Sequence, residues 1–558
     1  MEDLNSRYVE ISKAYQALTD EEVRNNYIQY GHPDGRQGYS IAIALPKAMV
    51  TGGNGKYVIL VYFLLFGVLL PYLVGSWWYG IQRRSKEGVL MESANRLFRQ
   101  YEDTIDESGI LHALSTAKEF EEAFRGDQAD AGLSKVESRI LDPGDASPLA
   151  ASFSAKDREK LRDLESGPRR KALALLWAYL GRVELDDDAL TKAQFEVGPI
   201  AYPLTKSFTA ISLAYGNTVP ILASYYTSQL LIQAIPPKAS PLLQLPYFTP
   251  AIVRAVEGED SRTRMSVQAF MDQPDARRRR LAVGPNLLSE DQYQTAVAVA
   301  KQLPYFRVAK AFFKVAGERF IIPSSLVTLV VKGRFVPPGS ENVPAVDELD
   351  LEDVDPAEDD LDAILGRKTK RQIGKDENGR PILASESKEP VVPPLAFAPY
   401  FARDHSPRWN VFLTDSKQGK MAVPPFTFTQ FDRPIFEADG KTPTYAMQTL
   451  KAQFQAPPQA GHYTFVMHVV CDSYVGFDTK MEVTLVVDDA SKAAQMADED
   501  QISEPDEDSL QGIMNAAKGG APLKKKKRDE EDSDEDESAT ESEADDTSDT
   551  NTDTEPEN

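Results

Sequence analysis

The feature that most constrains this chain is a long apolar segment without one charged side chain. It covers 23 residues, 57–79, and reads YVILVYFLLFGVLLPYLVGSWWY. As an α-helix it would be about 34 Å long, against about 30 Å for the hydrocarbon core of a bilayer. A buried helix of a soluble domain rarely lacks every charge over this length, and the 56 preceding residues argue against a cleaved signal peptide. The segment therefore predicts one transmembrane helix.

Basic residues on either side of this segment predict its orientation. The twenty residues before it contain Lys47 and Lys56. The twenty residues after it contain five basic side chains: Arg83, Arg84, Lys86, Arg96 and Arg99. Because cytosolic flanks are enriched in Lys and Arg, we expect a single-pass chain with a lumenal N-terminus and a cytosolic C-terminal body.

Small residues and proline recur inside the apolar segment. Gly67, Pro71 and Gly75 are spaced four residues apart, which predicts a kink or, alternatively, a groove for another membrane helix. A second uncharged stretch, 207–235, contains many polar side chains and is interpreted as buried helices of a soluble domain rather than a second span.

Charge and cysteine content exclude several classes of function. The 558 residues include 62 basic and 86 acidic side chains, a formal net charge of −24, and 16 of the carboxylates lie in residues 529–558. This balance argues against nucleic acid as the main partner and favours a basic protein surface. Cys471 is the only cysteine, so no intrachain disulfide is possible, and the five histidines have no metal-ligand spacing. We expect no cofactor, no metal site and no enzyme activity.

The first 35 residues predict two amphipathic helices. Apolar residues recur at spacings of three and four in the first, at Leu4, Tyr8, Ile11, Tyr15 and Leu18. Thr19 and Glu22 predict a capping box that begins a second helix, and Gly31 predicts its end.

The body after the membrane segment changes its periodicity near residue 321. Residues 89–320 predict an all-α region, with the clearest helices at 161–185 and 291–313, and Arg277–Arg280 form a basic run that is either a solvated face or a docking site for an acidic partner or lipid headgroup. Residues 321–488 predict a β-sandwich with strands at 325–336, 409–413, 421–431, 463–472 and 481–487. An acidic stretch at 339–390 predicts a disordered insertion into it.

Residues 489–558 predict an acidic, disordered tail. They lack aromatic residues and hold a KKKKR run followed by many acids, so they cannot form a core. Ser533, Ser538, Thr540 and Ser542 each have an acid three positions later, which is the substrate pattern of acidophilic kinases. The tail is interpreted either as a solvating segment or as one that captures a basic partner.

The N-terminal pair of helices resembles the last two helices of a J domain, the module that recruits a seventy-kilodalton chaperone. The residues that match the pattern are Ile11, Ala14, Tyr15, Leu18, Asp20, Arg24, Tyr27 and Gly31. The family's His-Pro-Asp tripeptide precedes these helices, whereas here His32, Pro33 and Asp34 follow them, so their role as a chaperone contact is in doubt. We expect either that residues are missing upstream of Met1 or that this segment has lost its activity.

Longer sequence segments resemble the Sec63 family, whose members are the J-domain membrane subunit of the endoplasmic-reticulum protein translocation machinery. They include PLLQLPYFTP at 241–250, FRVAKAFFKVAGERFIIPSSLVTLVVKGRF at 306–335 and APPQAGHYTFVMHVVCDSYVGFDTKMEVTLVV at 456–487. The resemblance implies a multidomain α+β membrane protein: a partial J domain (1–35), a transmembrane helix (57–79), a cytosolic helical domain (89–320), a fibronectin type III-like sandwich (321–488) and an acidic tail (489–558). A similar module occurs in spliceosomal RNA helicases, but the phosphate-binding GxxxxGK[ST] loop is absent.

This resemblance implies a non-enzymatic scaffold and co-chaperone of post-translational import into the endoplasmic reticulum. The sandwich would dock on the Sec61 channel, the tail would hold the basic membrane subunit Sec62, and a complete J domain would recruit the lumenal chaperone BiP. The alternatives are a membrane tether without co-chaperone activity and a soluble module whose apolar segment does not span a membrane.

Overall fold

The computed structural model describes residues 2–32, 55–142, 149–258, 264–316, 318, 320–353, 372–375, 381–383, 390–489 and 491. Of the predicted acidic tail, only Asp489 and Ser491 belong to this part. The described chain combines helices and β-sheets, as predicted.

Two helices begin the chain, α1 (Glu2–Thr19) and α2 (Glu21–Tyr30). The predicted capping box is wrong in its residues, because the N-cap of α2 is Asp20, whose carboxylate accepts the Glu22 N–H at 3.1 Å. The Thr19 hydroxyl instead donates to the Tyr15 carbonyl at 2.7 Å and thus belongs to the end of α1. Gly31 ends α2 in the left-handed conformation with φ of 69°, as predicted.

The apolar segment forms one continuous helical stretch with an irregular centre. It consists of α3 (Gly55–Tyr62), a π-helical segment (Phe63–Leu69) and α4 (Leu70–Gln82). The Leu70 N–H bonds to the Leu65 carbonyl, five residues back. Pro71 has no N–H to give to the preceding turn, and a π-type turn is one way to accommodate that loss. The π-helical segment ends two residues before Pro71, and the kink predicted at Gly67 and Pro71 stays a prediction.

Twelve further α-helices are described between this segment and the sheets. They are α5 (Met91–Arg99), α6 (Glu107–Leu114), α7 (Lys118–Ala123), α8 (Leu133–Leu141), α9 (Ala155–Asp163), α10 (Pro168–Leu180), α11 (Asp188–Tyr215), α12 (Thr218–Gln233), α13 (Pro250–Glu257), α14 (Val267–Met271), α15 (Asp275–Ala282) and α16 (Glu290–Ala300). Most residues of α10 and α12, and 13 of the 28 residues of α11, are buried. Residues 207–235 therefore lie in core helices of the body, as predicted.

The two helices that the sequence predicts most clearly are confirmed only in part. The helix predicted over 161–185 is broken, because α9 ends at Asp163 and α10 begins at Pro168, which disfavours helical backbone in the residue before it. The helix predicted over 291–313 ends at Ala300, and Phe306–Lys314 form strand β1 instead. Pro304 interrupts the helix, and the aromatic residues that follow suit a strand. The region predicted as all-α over 89–320 thus contains a strand.

Seven strands form two antiparallel sheets. The first has the order β1 (Phe306–Lys314), β2 (Leu326–Phe335), β7 (Met447–Gln455), and the second has the order β6 (Met421–Phe428), β5 (Trp409–Asp415), β8 (Gly461–Cys471), β9 (Thr479–Val487). All five predicted strands are confirmed with small shifts of their ends, whereas β1 and β7 were not predicted. Two short strands, β3 (Gln372–Lys375) and β4 (Pro381–Leu383), pair separately. The assignment to the fibronectin type III fold stays a prediction.

An aromatic cluster joins the inner faces of the two sheets. The Phe335 ring of β2 lies 5.1 Å from the Trp409 ring of β5 and 4.9 Å from the Phe431 ring, centroid to centroid. Phe313 of β1 likewise contacts Phe465 of β8. These aromatic side chains pack the two sheets against each other.

The first part of the predicted disordered insertion is ordered. A 3₁₀ turn covers Glu348–Leu351, and the Asp353 side chain, which is 8% exposed, lies among three lysines of the first sheet. Its carboxylate is 2.6 Å from Lys314 Nζ, 2.8 Å from Lys451 Nζ and 3.7 Å from Lys332 Nζ. The prediction of disorder is therefore wrong up to Asp353, because an acidic run can become ordered where it contacts a basic surface. It is also wrong at β3 and β4, which pair within the same predicted insertion. Residues 354–371, 376–380 and 384–389 lie outside the described residues.

Candidate docking platform and membrane anchor

The apolar helical stretch presents its side chains outward. Residues Leu60–Gly80, 21 in number, form the one described helix that is long and apolar enough to cross a membrane. Its large side chains are exposed, among them Phe63, Trp77 and Trp78. Since a soluble protein hides such a stripe in its core, exposed apolar side chains along the helix fit a lipid environment.

A tight turn connects this helix to the body. The Met91 N–H at the start of α5 bonds to the Arg83 carbonyl at 2.9 Å, and the Ser85 N–H bonds to the Val89 carbonyl at 2.7 Å. The Glu119 carboxylate of α7 accepts the Leu90 N–H at 2.8 Å and also the Ser93 hydroxyl. The body is thus attached to the end of the helix by several hydrogen bonds rather than by a free linker.

A buried carboxylate joins the helices to the second sheet. Asp472, at the end of β8, accepts hydrogen bonds from the Tyr202 hydroxyl of α11 at 2.8 Å and from the Arg408 N–H at 3.0 Å. His405 Nε2 lies 3.3 Å from the same carboxylate, and the Ser473 hydroxyl donates to it at 2.7 Å. Burial acts to raise the pKa of Asp472, but His405 and the hydrogen bonds outweigh it, so the pKa lies below its usual range.

Three glutamines continue this junction. Gln229 Nε2 of α12 donates to the Cys471 carbonyl at 2.6 Å and to Asp478 Oδ1 at 2.9 Å. Gln233 donates to the Ser473 carbonyl, and Gln244 donates to the Val475 carbonyl. Burial raises the pKa of Asp478 to about 7. Helices and sheets therefore form one body joined by polar contacts that are paired and buried.

Two clefts open on this body. The larger, about 470 Å³, lies between the sheets where β6 and β7 meet, and we call it the inter-sheet cleft. Its walls are apolar or uncharged and include Val423, Phe454, Tyr463 and Phe465. The smaller, about 230 Å³, lies between α11, α12 and the second sheet and reaches Glu87 in the turn after the membrane helix, and we call it the juxtamembrane cleft.

The structure places the predicted J-domain residues on one pair of helices. Ile11, Ala14, Tyr15 and Leu18 lie on α1, and Asp20, Arg24, Tyr27 and Gly31 lie on or at the ends of α2. The large apolar side chains of this set are exposed. His32 follows the end of α2, whereas Pro33 and Asp34 lie outside the described residues, as do Ser533, Ser538, Thr540 and Ser542.

The basic run is only partly a free surface. Arg278 is buried, with Nη1 3.0 Å from Met271 Sδ and Nη2 3.3 Å from Asp275. Arg279 pairs with Asp275 and Glu290. Arg277 and Arg280 are exposed. Two of the four arginines thus stabilise α15.

Sequence reasoning missed the polar junction and both clefts. The residues that meet at Asp472 come from positions as far apart as Tyr202 and Asp472, so no local spacing reveals them. The sequence signal that could have indicated the junction is the pair of acids in CDSYVGFD, Asp472 and Asp478, which follow an apolar strand. Across the described ranges, no group of three or more His, Cys, Asp or Glu side chains has the geometry of a metal site.

These features define a protein in which one long apolar helix is joined to a body made of a helical region and two β-sheets. A protein-family model described as Sec63 Brl domain matches residues 85–484. The chain therefore belongs to the Sec63 family.

Curated relatives carry corresponding names. The chain is 26% identical over 529 residues to "Translocation protein sec63" of Schizosaccharomyces pombe, which covers 93% of this chain and 73% of that protein. It is 29% identical over 342 residues to "Translocation protein SEC63 homolog" of Homo sapiens, covering 58% of this chain and 44% of the relative. It is 27% identical over 352 residues to "DnaJ protein ERDJ2B" of Arabidopsis thaliana, covering 59% and 51%. The chain thus spans about half the length of the latter two.

Proposed function

We propose that this chain is a non-enzymatic scaffold of the machinery that translocates proteins into the endoplasmic reticulum. The observation that carries the proposal is the attachment of an outward-facing apolar helix to a single body through the Arg83–Met91 and Glu119 contacts. A rigid attachment suits a platform that must hold other proteins at a fixed distance from the membrane. Membership of a family whose relatives are named translocation proteins supports the same function.

In this proposal the body is cytosolic and docks on the Sec61 channel. The inter-sheet cleft offers an apolar floor of Val423 and Phe465 beside the edge strands β6 and β7. A loop of the channel that inserts an apolar side chain there would bury apolar surface without burying an unpaired charge. We place the fibronectin type III-like sandwich at 306–488 rather than 321–488, and the helical domain at 89–305 rather than 89–320, because β1 pairs with β2.

The acidic tail and the N-terminal helices supply the other contacts. The tail, with 16 carboxylates in residues 529–558, would hold a Sec62-type basic membrane subunit, and phosphorylation of Ser533, Ser538, Thr540 or Ser542 would add about −1.5 to −2 charges each. The J-domain helices would recruit BiP on the lumenal side.

Co-purification from membranes tests docking on the channel. We expect Ala422→Arg combined with Pro458→Glu, at the mouth of the inter-sheet cleft, to reduce recovery of Sec61 at least tenfold from detergent extracts. The matched control is Thr484→Arg on the exposed edge of the same sheet, which should leave recovery unchanged. Equal recovery with all variants would contradict this docking site. Deletion of 529–558 should separately remove the basic subunit at low ionic strength.

A membrane tether without co-chaperone activity is the second candidate. It is favoured by the position of His32, which follows α2 instead of preceding α1. Residues 1–56 added to BiP should then leave its ATPase rate unchanged, whereas a working J domain would raise it. Carbonate extraction tests the membrane span itself, because a peripheral protein would be released.

A further inference from the structure

The juxtamembrane cleft contains hydrogen-bond donors that the fold does not use. Lys206 Nζ, the Arg408 guanidinium and Asn410 Nδ2 border it, and within the described residues none of them has a hydrogen-bond or ion-pair partner. The Asn410 carbonyl oxygen is occupied by the Thr427 hydroxyl at 2.8 Å, which leaves the amide NH₂ of Asn410 as the group still able to bind. Three unused donors in one concave site are the arrangement that a phosphate or carboxylate group requires.

Lys206 is held in place for such a role. Its ammonium lies 4.3 Å above the centre of the Tyr202 ring, and Tyr202 is fixed by its hydrogen bond to Asp472. Burial and the nearby charge of Arg408 lower the pKa of Lys206. Asp472 also borders the cleft and acts against this lowering, but four hydrogen-bond partners already engage its carboxylate, so the two cations keep unused donors for an anion.

The acidic side chains of the cleft limit what that anion can be. Asp472 is fully engaged by Tyr202, His405, Arg408 N–H and Ser473. Glu87, at the rim, has no partner for its carboxylate in the described part of the chain. The free Glu87 carboxylate would repel a polyanion, so a ligand that carries both signs of charge fits the cleft better. A ligand with one phosphate and one ammonium group would pair with Lys206, Arg408 and Glu87 together.

Size and position point to the source of this ligand. The cleft, about 230 Å³, is smaller than the roughly 300–1,000 Å³ of sites for drug-sized ligands, so it suits a headgroup. Glu87 is five residues beyond Gln82, the last residue of α4, which is a reach of at most about 17 Å. The rim therefore lies close to the end of the apolar helix, where lipid headgroups would be found.

We propose that the juxtamembrane cleft binds the headgroup of a zwitterionic phospholipid such as phosphatidylethanolamine. Lys206, Arg408 and Asn410 bind the phosphodiester, and Glu87 binds the ammonium group. Such a lipid fixes the orientation of the docking platform on the bilayer surface. The inference rests on the proposed membrane anchorage of the chain.

Soluble headgroup binding tests the site without a bilayer. The full chain in a phosphate-free detergent is titrated with glycerophosphoethanolamine and, separately, with inorganic phosphate, and binding is followed by calorimetry and by the thermal midpoint. We expect glycerophosphoethanolamine to bind more tightly than phosphate. Lys206→Met and Arg408→Gln should each weaken both ligands at least tenfold, whereas Glu87→Gln should weaken only glycerophosphoethanolamine. Lys135→Gln, an exposed lysine of α8, is the matched control and should change nothing.

A bilayer experiment identifies the lipid as the source. Photoactivatable phosphatidylethanolamine in nanodiscs should cross-link to peptides that contain Glu87 or Lys206. Equal affinity for phosphate and glycerophosphoethanolamine, with no effect of Glu87→Gln, would overturn the zwitterion assignment. No binding of either ligand, or binding that Lys206→Met and Arg408→Gln leave intact, would overturn the site. Glu87→Gln, at the half-buried rim position, remains informative if a variant deeper in the cleft fails to fold. Release by carbonate together with intact headgroup binding would refute the anchorage alone.

Discussion

The Tyr202 hydroxyl donates a 2.8 Å hydrogen bond to Asp472 across the boundary between the helices and the second sheet. The two residues are 270 positions apart in the chain, and both are buried. Because the carboxylate is charged and inaccessible to water, each of its donors matters more than an exposed hydrogen bond would.

We expect Tyr202→Phe to lower the free energy of unfolding by about 1–3 kcal/mol, since it leaves a buried carboxylate short of one donor. Denaturant unfolding of the full chain in detergent, followed by tryptophan fluorescence, measures the change. Tyr463→Phe is the control, because the Tyr463 hydroxyl bonds to the Gln459 carbonyl at an exposed position. Equal losses for both variants would show that the Asp472 bond has no special weight.

Asp478 predicts a pH dependence of stability. Burial raises its pKa from 3.8 to about 7, so the native state binds a proton that the unfolded chain has already released. The sign follows directly: this contribution is fully present below about pH 4 and is lost as the pH rises to 7, with a slope of at most about 1.4 kcal/mol per pH unit. The groups around it are Gln229 and Tyr226 of α12 and the Cys471 N–H and thiol of β8.

Asp478→Asn tests this dependence, because an amide does not titrate. We expect the variant to lose stability less steeply than the parent between pH 5 and 7, and to be the more stable of the two at pH 8. Thermal midpoints across this range measure the difference. Parallel curves for the two proteins would contradict the role of Asp478.

The lysines around Asp353 predict a second stability effect. Burial acts to raise the pKa of Asp353, but Lys314 and Lys451 outweigh it and keep the pKa below its usual range. Asp353→Ala leaves Lys332 buried beside other cations, so we expect a loss of about 1–3 kcal/mol in the free energy of unfolding. The ordered segment before residue 354 should also become more sensitive to protease.

A double-variant cycle separates charge from packing at this site. Lys332→Met removes the most buried lysine, so combining it with Asp353→Ala should cost less than the sum of the single changes. Simple additivity of the two losses would mean that Asp353 and Lys332 do not interact.

Glu119 predicts how firmly the body is attached to the membrane helix. Glu119→Ala removes the acceptor of the Leu90 N–H and of the Ser93 hydroxyl. Trypsin should then cleave at Arg83, Arg84 or Lys86 several-fold faster in membranes. Glu122→Ala is the control, because among the residues that the structure describes Glu122 pairs with exposed Arg125 alone, at 3.3 Å. Unchanged cleavage rates in both variants would indicate that other contacts hold the turn.

Local pattern predicted a good part of the fold, and the reasons for its failures are physical. The five predicted strands are bounded by turn residues and rich in β-branched side chains, so propensity and burial agree. Strand β1, FRVAKAFFK, has apolar spacings that fit a helix as well as a strand, and only its pairing with β2 decides between them. Strand β7, MQTLKAQFQ, is too polar to stand out until β2 is placed beside it.

The sites were less predictable because their residues come from distant parts of the chain. The sequence predicts that Asp353 belongs to a disordered acidic run, because no residue near it in the sequence indicates its ion pairs with Lys314 and Lys451. Lys206 appeared only as the edge of an uncharged stretch, and its proximity to Arg408 depends on the packing of α11 against β5. The J-domain pattern, in contrast, lies within 21 residues, and the predicted helices that carry it are present in the structure.

The buried glutamines at the junction have a consequence for how this molecule can be divided. A fragment that stops before β8 would leave the side-chain donors of Gln229, Gln233 and Tyr202 without their hydrogen-bond acceptors. A fragment that contains the sheets alone would expose Asp472 and Asp478 to solvent. Neither half is therefore suited to expression alone or to transfer by gene fusion. The stretch from the end of the membrane helix to the last strand should instead be expressed, purified and crystallised as one unit.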